Sequence, residues 1–412
     1  MIGRGATSSV YLAEDPFSGT EVAIKIAHQN IFNDPVNGIR YKKMFMNEAS
    51  LAGRLRHPHI VPVYDAGTEG DKHYIVMDYV RGHTLKEHCS PDSLLPMDDV
   101  VEIIFKCCNA LDYAHRQGLI HRDIKPANLL TTGGTDVRIS DFGTALLADS
   151  ELTQVIDAVG TPSYMSPEQI DGQEVTQQAD IYSLGVVMYQ LLTGKLPFAG
   201  NNQYELVRKI NKEPPIPLDS VRTDIPPAIQ DVVYRCLQKK ARNRYPTWAQ
   251  MARDLAGIHE QLELSSTAVS DTRKFNILKS LHFFRNFTDV ERWEVLRISK
   301  WHTFPAGKRL LREGKIGNSF FILASGNARI MKNDSLLGMI EAGQCFGEMS
   351  YIQSQKKTRS ASVISNSNVM VIKIIDEALQ ESTSQLQTKL NRELLETLAD
   401  RLEKTSLMAS AL

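Results

Sequence analysis

Short apolar runs alternate with turn residues at the start of the chain, and this pattern predicts a small antiparallel sheet. Residues 1–28 hold two such runs around a Ser-Gly dipeptide, which is typical of a β-hairpin. Helical spacing follows over residues 42–56, and two more strands are predicted over residues 61–64 and 74–79. The first part of the chain is therefore predicted to be a small β-rich lobe with one helix.

Beyond Leu85 the apolar positions recur at helical spacing. Residues 100–117 give the strongest pattern, an amphipathic stretch that stops at Gly118. Further helices are predicted over residues 180–193, 202–211, 226–238 and 247–262. No apolar run approaches the ~18 residues of a membrane-spanning helix, so the most apolar segment is predicted to be a buried core helix.

The pattern changes again after this helical part. Small polar residues predict a linker over residues 259–276. Helical spacing returns over residues 275–300, and short strands with Gly, Asn and Ser turns follow over residues 303–375. Residues 376–405 predict one long amphipathic helix with a leucine stripe at positions 379, 386, 390, 394, 398 and 402. The stripe either packs on the preceding strands or pairs with a second chain as a homodimer.

Composition narrows the class of protein. The 412 residues are 42% hydrophobic and 23% charged, with a net charge of -1, as in ordinary globular proteins. This balance gives no electrostatic reason to expect binding to nucleic acid or to a membrane surface. The 5 cysteines lack a C-x-x-C spacing, which argues against a disulfide framework and a zinc site. With no signal-peptide pattern at the start, the expected location is the cytoplasm.

Candidate phosphate-binding residues open the chain. Gly3 and Gly5 precede Val10 in a glycine-rich turn whose backbone N–H groups can approach phosphates. Lys25 ends an apolar strand, where a charge is costly unless it is paired. Glu48, on the following predicted helix, is a suitable partner.

A second polar set lies between apolar segments in the middle of the chain. Asp123, Lys125 and Asn128 fall within His-Arg-Asp-Ile-Lys-Pro-Ala-Asn, and Asp141 opens Asp-Phe-Gly after a predicted strand. Phosphoryl transfer needs mainly positioning and charge neutralisation, so carboxylate-held metal together with a lysine is the expected equipment.

These residues resemble eukaryotic-type serine/threonine protein kinases over about residues 1–258. The resemblance implies an α+β, bilobal protein-kinase fold with a small lobe over residues 1–80 and a large lobe over residues 81–258. Lys125 together with Thr161 matches the serine/threonine form. The family has most of a β-strand before the glycine-rich loop, so the sequence leaves open whether the chain starts upstream of Met1.

The resemblance also implies a role for each matched residue. Asp123 is implied to be the catalytic base, Lys125 to steady the γ-phosphate, and Lys25, held by Glu48, to position the α- and β-phosphates. Mg²⁺ is implied to bind Asn128 and Asp141. The implied ATP contacts are Gly3, Gly5, Val10, Ala23, Lys25, the backbone of Asp78 and Val80, and Leu130. Two structural matches complete the set, namely Asp180 and an Arg244–Glu168 pair.

Arg122, next to Asp123, carries a regulatory implication. In kinases of this kind a buried arginine at this position is neutralised by a phosphate on the activation segment. The candidate acceptors are Thr144, Ser150, Thr153, Thr161 and Ser163. We expect Thr153 to carry the phosphate and Thr161 to be a substrate-positioning hydroxyl.

A second candidate site lies near the C-terminus. A short helix starting near Gly347 would point N–H groups at an anion, and Arg359 would supply a bidentate charge. Glu348 can accept a hydrogen bond from a ribose hydroxyl. These residues suit a cyclic phosphate ester.

The same segment resembles the cyclic-nucleotide-binding β-roll with flanking helices over about residues 277–405. The resemblance implies a phosphate cassette formed by Phe346, Gly347, Glu348, Met349, Arg359, Ser360 and Ala361. The spacing from Glu348 to Arg359 is longer than is common, and the inserted residues 354–358 would reshape the pocket. Either cAMP or cGMP fits Ser360, and a β-roll that only docks a partner also stays open.

The sequence thus predicts a cytosolic serine/threonine kinase that uses MgATP, phosphorylates protein substrates and carries a cyclic-nucleotide-binding regulatory domain on the same chain. One alternative is an ATP-binding scaffold or signalling adaptor with a nucleotide-independent docking β-roll. Another is a kinase whose β-roll binds no nucleotide. The protein substrate and the direction of regulation are left open.

Overall fold

The chain divides into two compact units, Met1–Ala268 and Val269–Leu412. The structure is a computed structural model. It describes residues 1–5, 8–29, 38, 42, 45, 53–142, 162–262, 269–352 and 358–410. The division between the units falls inside the predicted linker, residues 259–276.

An antiparallel five-stranded sheet opens the first unit, in the order β1-β2-β3-β5-β4. Its strands are β1 (Gly3–Arg4), β2 (Ser8–Glu14), β3 (Glu21–Ala27), β4 (Val63–Glu69) and β5 (Lys72–Asp78). The predicted hairpin joins β2 to β3, and a turn with Gly19 at φ +68° connects them. Most of the predicted helix over residues 42–56, including Glu48, lies outside the described residues.

A helical part with a small second sheet follows. The sheet has the order β6-β7-β8, formed by β6 (His83–Thr84), β7 (Leu129–Gly133) and β8 (Asp136–Ile139). The helices are α1 (Met97–Arg116), α2 (Pro167–Ile170), α3 (Gln177–Thr193), α4 (Gln203–Lys212), α5 (Leu218–Val221), α6 (Pro227–Cys236) and α7 (Trp248–Leu262).

The long helices of this unit confirm the sequence predictions to within a few residues. Helix α1 has acidic residues in its first turn and basic residues in its last turn, which complements the helix dipole. Helix α3 is buried along nearly its whole length and ends at Gly194, whose φ is +71°. A side chain at Gly194 would collide with the backbone of Pro91, so glycine is required there. Among the described helices, none is long and apolar enough to cross a membrane.

The predicted pair of Arg244 and Glu168 is confirmed. Nη1 and Nη2 of Arg244 donate to the two carboxylate oxygens of Glu168 at 2.6 and 2.8 Å, and both side chains are buried. Glu168 lies on α2, which begins at the N-cap Ser166 with a capping box to Gln169. The pair therefore ties the short helix α2 to the segment before α7.

Two four-stranded antiparallel sheets form the β-rich part of the second unit, in the orders β10-β15-β12-β13 and β14-β11-β16-β9. The strands are β9 (Ser299–Phe304), β10 (Arg309–Leu311), β11 (Ser319–Ser325), β12 (Asn327–Lys332), β13 (Ser335–Glu341), β14 (Cys345–Phe346), β15 (Ser362–Ser365) and β16 (Val369–Ile375). Their inner faces share an apolar core that includes Leu323, Phe346 and Val371.

Two helices precede these strands in sequence, two follow them, and one short helix lies between β14 and β15. They are α8 (Asp271–Ser280), α9 (Asp289–Ile298), α10 (Met349–Ile352), α11 (Asp376–Gln380) and α12 (Ser384–Ser410). The predicted linker is shorter than expected, because α7 runs into it and α8 begins at Asp271 after the N-cap Ser270.

Two predicted helices are interrupted in the structure. The helical stretch expected over residues 275–300 breaks between α8 and α9, where Thr288 forms a capping box with Glu291. The prediction of one helix over residues 376–405 is wrong, because this segment forms two helices, α11 and α12. The break lies at Thr383, whose hydroxyl caps α12 by accepting a hydrogen bond from the Leu386 N–H at 3.3 Å. The Thr383 hydroxyl and N–H also both donate to Glu294 on α9.

The leucine stripe packs largely inside the second unit. Leu379, Leu386, Leu390 and Leu394 are completely buried. Leu402 is 69% exposed. The structure therefore favours the packing interpretation for the first four leucines and leaves Leu402 available.

Candidate active site and nucleotide pocket

The loop that carries Asp123 is held by one buried carboxylate from α3. The two oxygens of Asp180 accept hydrogen bonds from the backbone N–H groups of His121 and Arg122, each at 2.7 Å. Burial raises the pKa of Asp180, although these hydrogen bonds and the nearby cations favour its charged form. Arg122 has a φ of +66°, a conformation that is costly for a residue with a side chain. The Asp180 contacts hold the loop in this strained shape.

Asp123, Lys125 and Asn128 lie within hydrogen-bonding distance of one another. Lys125 Nζ donates to Asp123 Oδ2 at 2.7 Å. Asn128 Nδ2 donates to the same oxygen at 3.1 Å and to the Asp123 carbonyl at 2.8 Å. The amide oxygen of Asn128 is thereby the group left to accept or coordinate. The structure brings together the three residues that the sequence motif predicted to be neighbours.

Lys25 and Asp141 form an ion pair between the five-stranded sheet and the segment that follows β8. Lys25 Nζ, on β3, donates to Asp141 Oδ1 at 2.9 Å. Burial opposes ionisation of Asp141, but the Lys25 ammonium outweighs it and holds the pKa of this carboxyl below its usual range. Asp141 has a φ of +62° at the end of the segment that follows β8. The strand that carries Lys25 and the segment that carries Asp141 are therefore adjacent.

The residues expected around a nucleotide base lie on strands near this pair. Val10 of β2 is the register partner of Lys25, and Ala23 of β3 is the partner of Met77. Asp78 ends β5, and Val80, two residues on, is buried. On the second sheet, Leu130 of β7 is partly buried. Gly3 begins β1 opposite Val10, and Gly5 opens the turn in which its N–H donates to the Ser8 carbonyl.

Several predicted residues fall outside the described part of the chain. They are Glu48, the expected partner of Lys25, Thr153, the expected phosphate acceptor, Thr161, the expected substrate-positioning hydroxyl, and the other candidate acceptors Thr144 and Ser150. Arg122 is described, and its Nε and Nη1 are buried with no hydrogen-bond partner among the described residues. Burial lowers the pKa of this guanidinium, which shows how poorly the surroundings compensate its charge.

The second candidate site centres on Arg359, which is 6% exposed. Its Nη1 donates to the carbonyls of Ser319 and Gly347 and to the hydroxyl of Ser350, at 2.8, 2.6 and 2.7 Å. Burial lowers the pKa of Arg359, and the charge of Glu348 opposes this effect. A buried cation therefore has mostly neutral oxygen partners, an arrangement that suits an incoming anion.

Glu348 stands beside this arginine with one oxygen bound and the other not. Its Oε1 accepts a hydrogen bond from Arg401 Nη1 on α12 at 2.8 Å. Its Oε2 is buried and has no partner within the described ranges. Arg401 also donates to the carbonyl of Cys345. Glu348 is therefore positioned from the C-terminal helix, with one acceptor left for another donor.

The remaining cassette residues surround the same cavity of about 70 Å³. Phe346 is buried and stacks on Phe321, and Gly347 adopts φ +78°. A Cβ on Gly347 would lie 2.7 Å from Arg359 Nη1, so glycine is needed for this approach. The cavity is also lined by Met349, Ser360 and Ala361.

Several residues of these sites were not predicted from the sequence. Arg401 on α12 and Ser319 on β11 reach the cassette from other elements, and Ser350 follows the cassette residue Met349 on α10. Gly317 leaves space for the Arg359 guanidinium, because a Cβ at this position would lie 2.3 Å from it. No sequence motif distinguishes Arg401 from the other charged residues of this long helix. The inserted segment expected to reshape the pocket lies mostly outside the described residues.

Family models match both units. The protein kinase domain matches residues 1–255, and the cyclic nucleotide-binding domain matches residues 301–385. These ranges contain the residues of the two candidate sites, except for Arg401.

Individual proteins are similar to the first part of the chain. Serine/threonine-protein kinase PknB of Mycolicibacterium smegmatis is 39% identical over 267 residues, which cover 63% of this chain and 42% of the relative. PknB of Mycobacterium tuberculosis is 35% identical over 288 residues, which cover 68% of this chain and 45% of the relative. The chain thus spans less than half the length of these curated relatives.

A solved structure has a similar fold. The crystal structure of Rad53 1-466 in complex with AMP-PNP is 28% identical, with a TM-score of 0.51. The match covers 61% of this chain and 62% of that chain.

Proposed function

The chain belongs to the protein kinase family, and on that premise we propose that it transfers the γ-phosphate of ATP to serine or threonine hydroxyls of proteins. The observation that carries the proposal is the meeting of Asp123, Lys125 and Asn128 on one loop, with Lys25 bound to Asp141. This set supplies a base, two cations and oxygen ligands. Positioning and charge neutralisation are what phosphoryl transfer requires.

Each residue has a distinct part in the proposed reaction. Asp123 accepts the proton of the attacking hydroxyl, and Lys125, 2.7 Å from Asp123, steadies the γ-phosphate. Lys25 positions the α- and β-phosphates. The Asp141 carboxylate and the Asn128 amide oxygen are the hard oxygen ligands that Mg²⁺ prefers. When bound there, Mg²⁺ neutralises charge on the phosphates.

The kinase proposal is tested by phosphate transfer from labelled ATP to a generic serine/threonine protein substrate. The wild-type chain is expected to transfer phosphate, and Asp123→Asn, which keeps the shape but not the base, is expected to lose at least about 100-fold in rate. Equal transfer by both proteins would contradict the proposal. Failure of the wild-type chain to transfer phosphate would favour the ATP-binding scaffold.

We also propose that a phosphate on Thr153 activates the enzyme by neutralising Arg122. The support is the buried guanidinium of Arg122, whose Nε and Nη1 lack partners in the described structure. Mass spectrometry of the active chain is expected to find phosphate at Thr153, and Thr153→Ala is expected to lower the transfer rate. A fully active and unmodified chain would contradict this assignment.

For the second unit we propose binding of a cyclic nucleotide, either cAMP or cGMP. In this proposal Arg359 binds the cyclic phosphate. The buried Oε2 of Glu348, which has no hydrogen-bond partner among the described residues, accepts from the ribose 2′-hydroxyl. The cavity of about 70 Å³ is smaller than the roughly 300 Å³ of small-molecule sites, so the ligand must enlarge it on entry.

Regulation follows from the contact between Glu348 and Arg401. Because α12 holds Glu348 through Arg401, a nucleotide that engages Glu348 also acts on α12. A ligand shifts a conformational equilibrium only by its difference in affinity for the two states. We propose that this difference arises at the Glu348–Arg401 pair and changes the rate of phosphate transfer.

A further inference from the structure

The carboxylate that ends β5 is bound at both of its oxygens. Asp78 Oδ1 accepts a hydrogen bond from the Tyr64 hydroxyl at 3.0 Å, and Oδ2 accepts one from Arg138 Nη1 at 2.7 Å. Tyr64 is 56% exposed, and its hydroxyl is protonated at neutral pH as in any tyrosine, so it donates. Tyr64 lies on β4 and Arg138 on β8, so Asp78 links the two sheets of the first unit.

Arg138 forms an ion pair with this carboxylate. Its side chain is 17% exposed, and its Nε is buried without a hydrogen-bond partner in the described part of the chain. A charged group with little access to water is costly unless it is paired. Asp78 supplies that pairing.

The position of Arg138 connects three parts of the proposed nucleotide site. Arg138 is the register partner of Leu130 on β7, and its own strand leads within three residues to Asp141. The other edge of β8 bonds to residues 59–61, where Ile139 N–H donates to the His59 carbonyl at 2.9 Å. The Asp78 N–H donates at 3.0 Å to the Pro62 carbonyl, just after that segment. Backbone hydrogen bonds therefore join β8 to the segment 59–62 and that segment to Asp78, and the Arg138 side chain adds a direct bond from β8 to Asp78.

We propose that Arg138 is a positioning residue for nucleotide binding. Its ion pair with Asp78, supported by Tyr64, fixes the backbone of residues 78–80 relative to Leu130, so that adenine enters a preformed slot. The inference rests on the proposed function, from which it takes the contact between adenine and this backbone. A rigid site binds more tightly because less ordering remains to occur on binding.

Direct binding of ATP, ADP and adenosine to the full-length chain tests the proposal. Arg138→Gln and Asp78→Asn are each expected to weaken all three ligands by the same factor of about five, which corresponds to a coupling of about 1 kcal/mol. The double variant is expected to be no weaker than either single variant. Arg138→Lys, which keeps the charge, is expected to recover part of the loss. The turnover number of Arg138→Gln at saturating ATP should stay near the wild-type value, because the reacting groups are untouched.

Arg81→Gln is the matched control, because Arg81 makes an exposed ion pair with Glu21 close to the same backbone segment. It is expected to leave all three affinities unchanged. Unchanged affinities in Arg138→Gln would overturn the proposal. So would losses that multiply in the double variant, or a loss restricted to ATP. A wild-type chain that binds ATP without transferring phosphate would contradict the proposed function instead, and the binding comparison would stand.

Discussion

At the scale of single residues, buried polar atoms without partners carry the most information about function. Glu348 Oε2 and two nitrogens of Arg122 are such atoms among the described residues, and each lies where a motif had already predicted a ligand or a phosphate. Asp123, Asn128 and Asp141 were predictable because their identities and spacing form a motif. Arg401 and Arg138 were not, because their importance arises from contacts between segments distant in sequence.

Arg359 gives the clearest test of the second site at this scale. Arg359→Gln is expected to weaken cyclic-nucleotide binding by about 10- to 100-fold, because it removes a charge-assisted hydrogen bond to the phosphate worth about 1.5–3 kcal/mol. Calorimetric titration of the full chain with cAMP and with cGMP measures the loss.

Two further variants separate binding from folding. Arg329→Gln is the control, since Arg329 lies on the same β-roll and its Nη1 donates to exposed Asn366. Glu348→Gln, which keeps the side-chain shape, is expected to weaken a nucleotide with a free 2′-hydroxyl more than its 2′-deoxy analogue. If Arg359→Gln bound each nucleotide, cAMP and cGMP, as tightly as wild type does, the assignment of the pocket would be contradicted.

At the scale of elements, periodicity predicted helices well where one face is buried. Helices α1, α3, α4, α6 and α7 agree with their predicted ranges to within a few residues. The predictions fail where the structure interrupts a predicted helix. The split between α11 and α12 lies at Thr383, which caps α12 through the Leu386 N–H and also contacts Glu294 on α9. Threonine is a favoured N-cap residue, but no glycine or proline stands near Thr383 to mark a break, and the contact with Glu294 is distant in sequence.

The Arg244–Glu168 pair decides the stability of the segment around α2. Arg244→Ala is expected to lower the free energy of unfolding of the first unit by about 3–5 kcal/mol, because it leaves the buried Glu168 charge unpaired. Urea unfolding of the full chain measures the change. Arg208→Ala, which removes a partly exposed pair with Glu213, should cost no more than about 1 kcal/mol. Similar costs for the two variants would contradict a structural role for the buried pair.

At the scale of the whole molecule, the chain combines a kinase unit with a unit that matches the cyclic nucleotide-binding domain. The order of elements and the two sets of motifs predicted this combination. The proposed coupling between the units rests on chemistry within the second one, where α12 holds Glu348 through Arg401. The central claim is therefore that a nucleotide bound at Glu348 and Arg359 changes phosphate transfer at Asp123.

The most direct test is phosphate transfer from labelled ATP by the full chain over a titration of cAMP and of cGMP. We predict a rate that changes with one of the two nucleotides, that responds in Arg359→Gln only at about 10- to 100-fold higher nucleotide concentration, and that falls at least about 100-fold in Asp123→Asn. A rate that is the same at every concentration of both nucleotides would contradict the coupling. Transfer that survives in Asp123→Asn would contradict the active site itself.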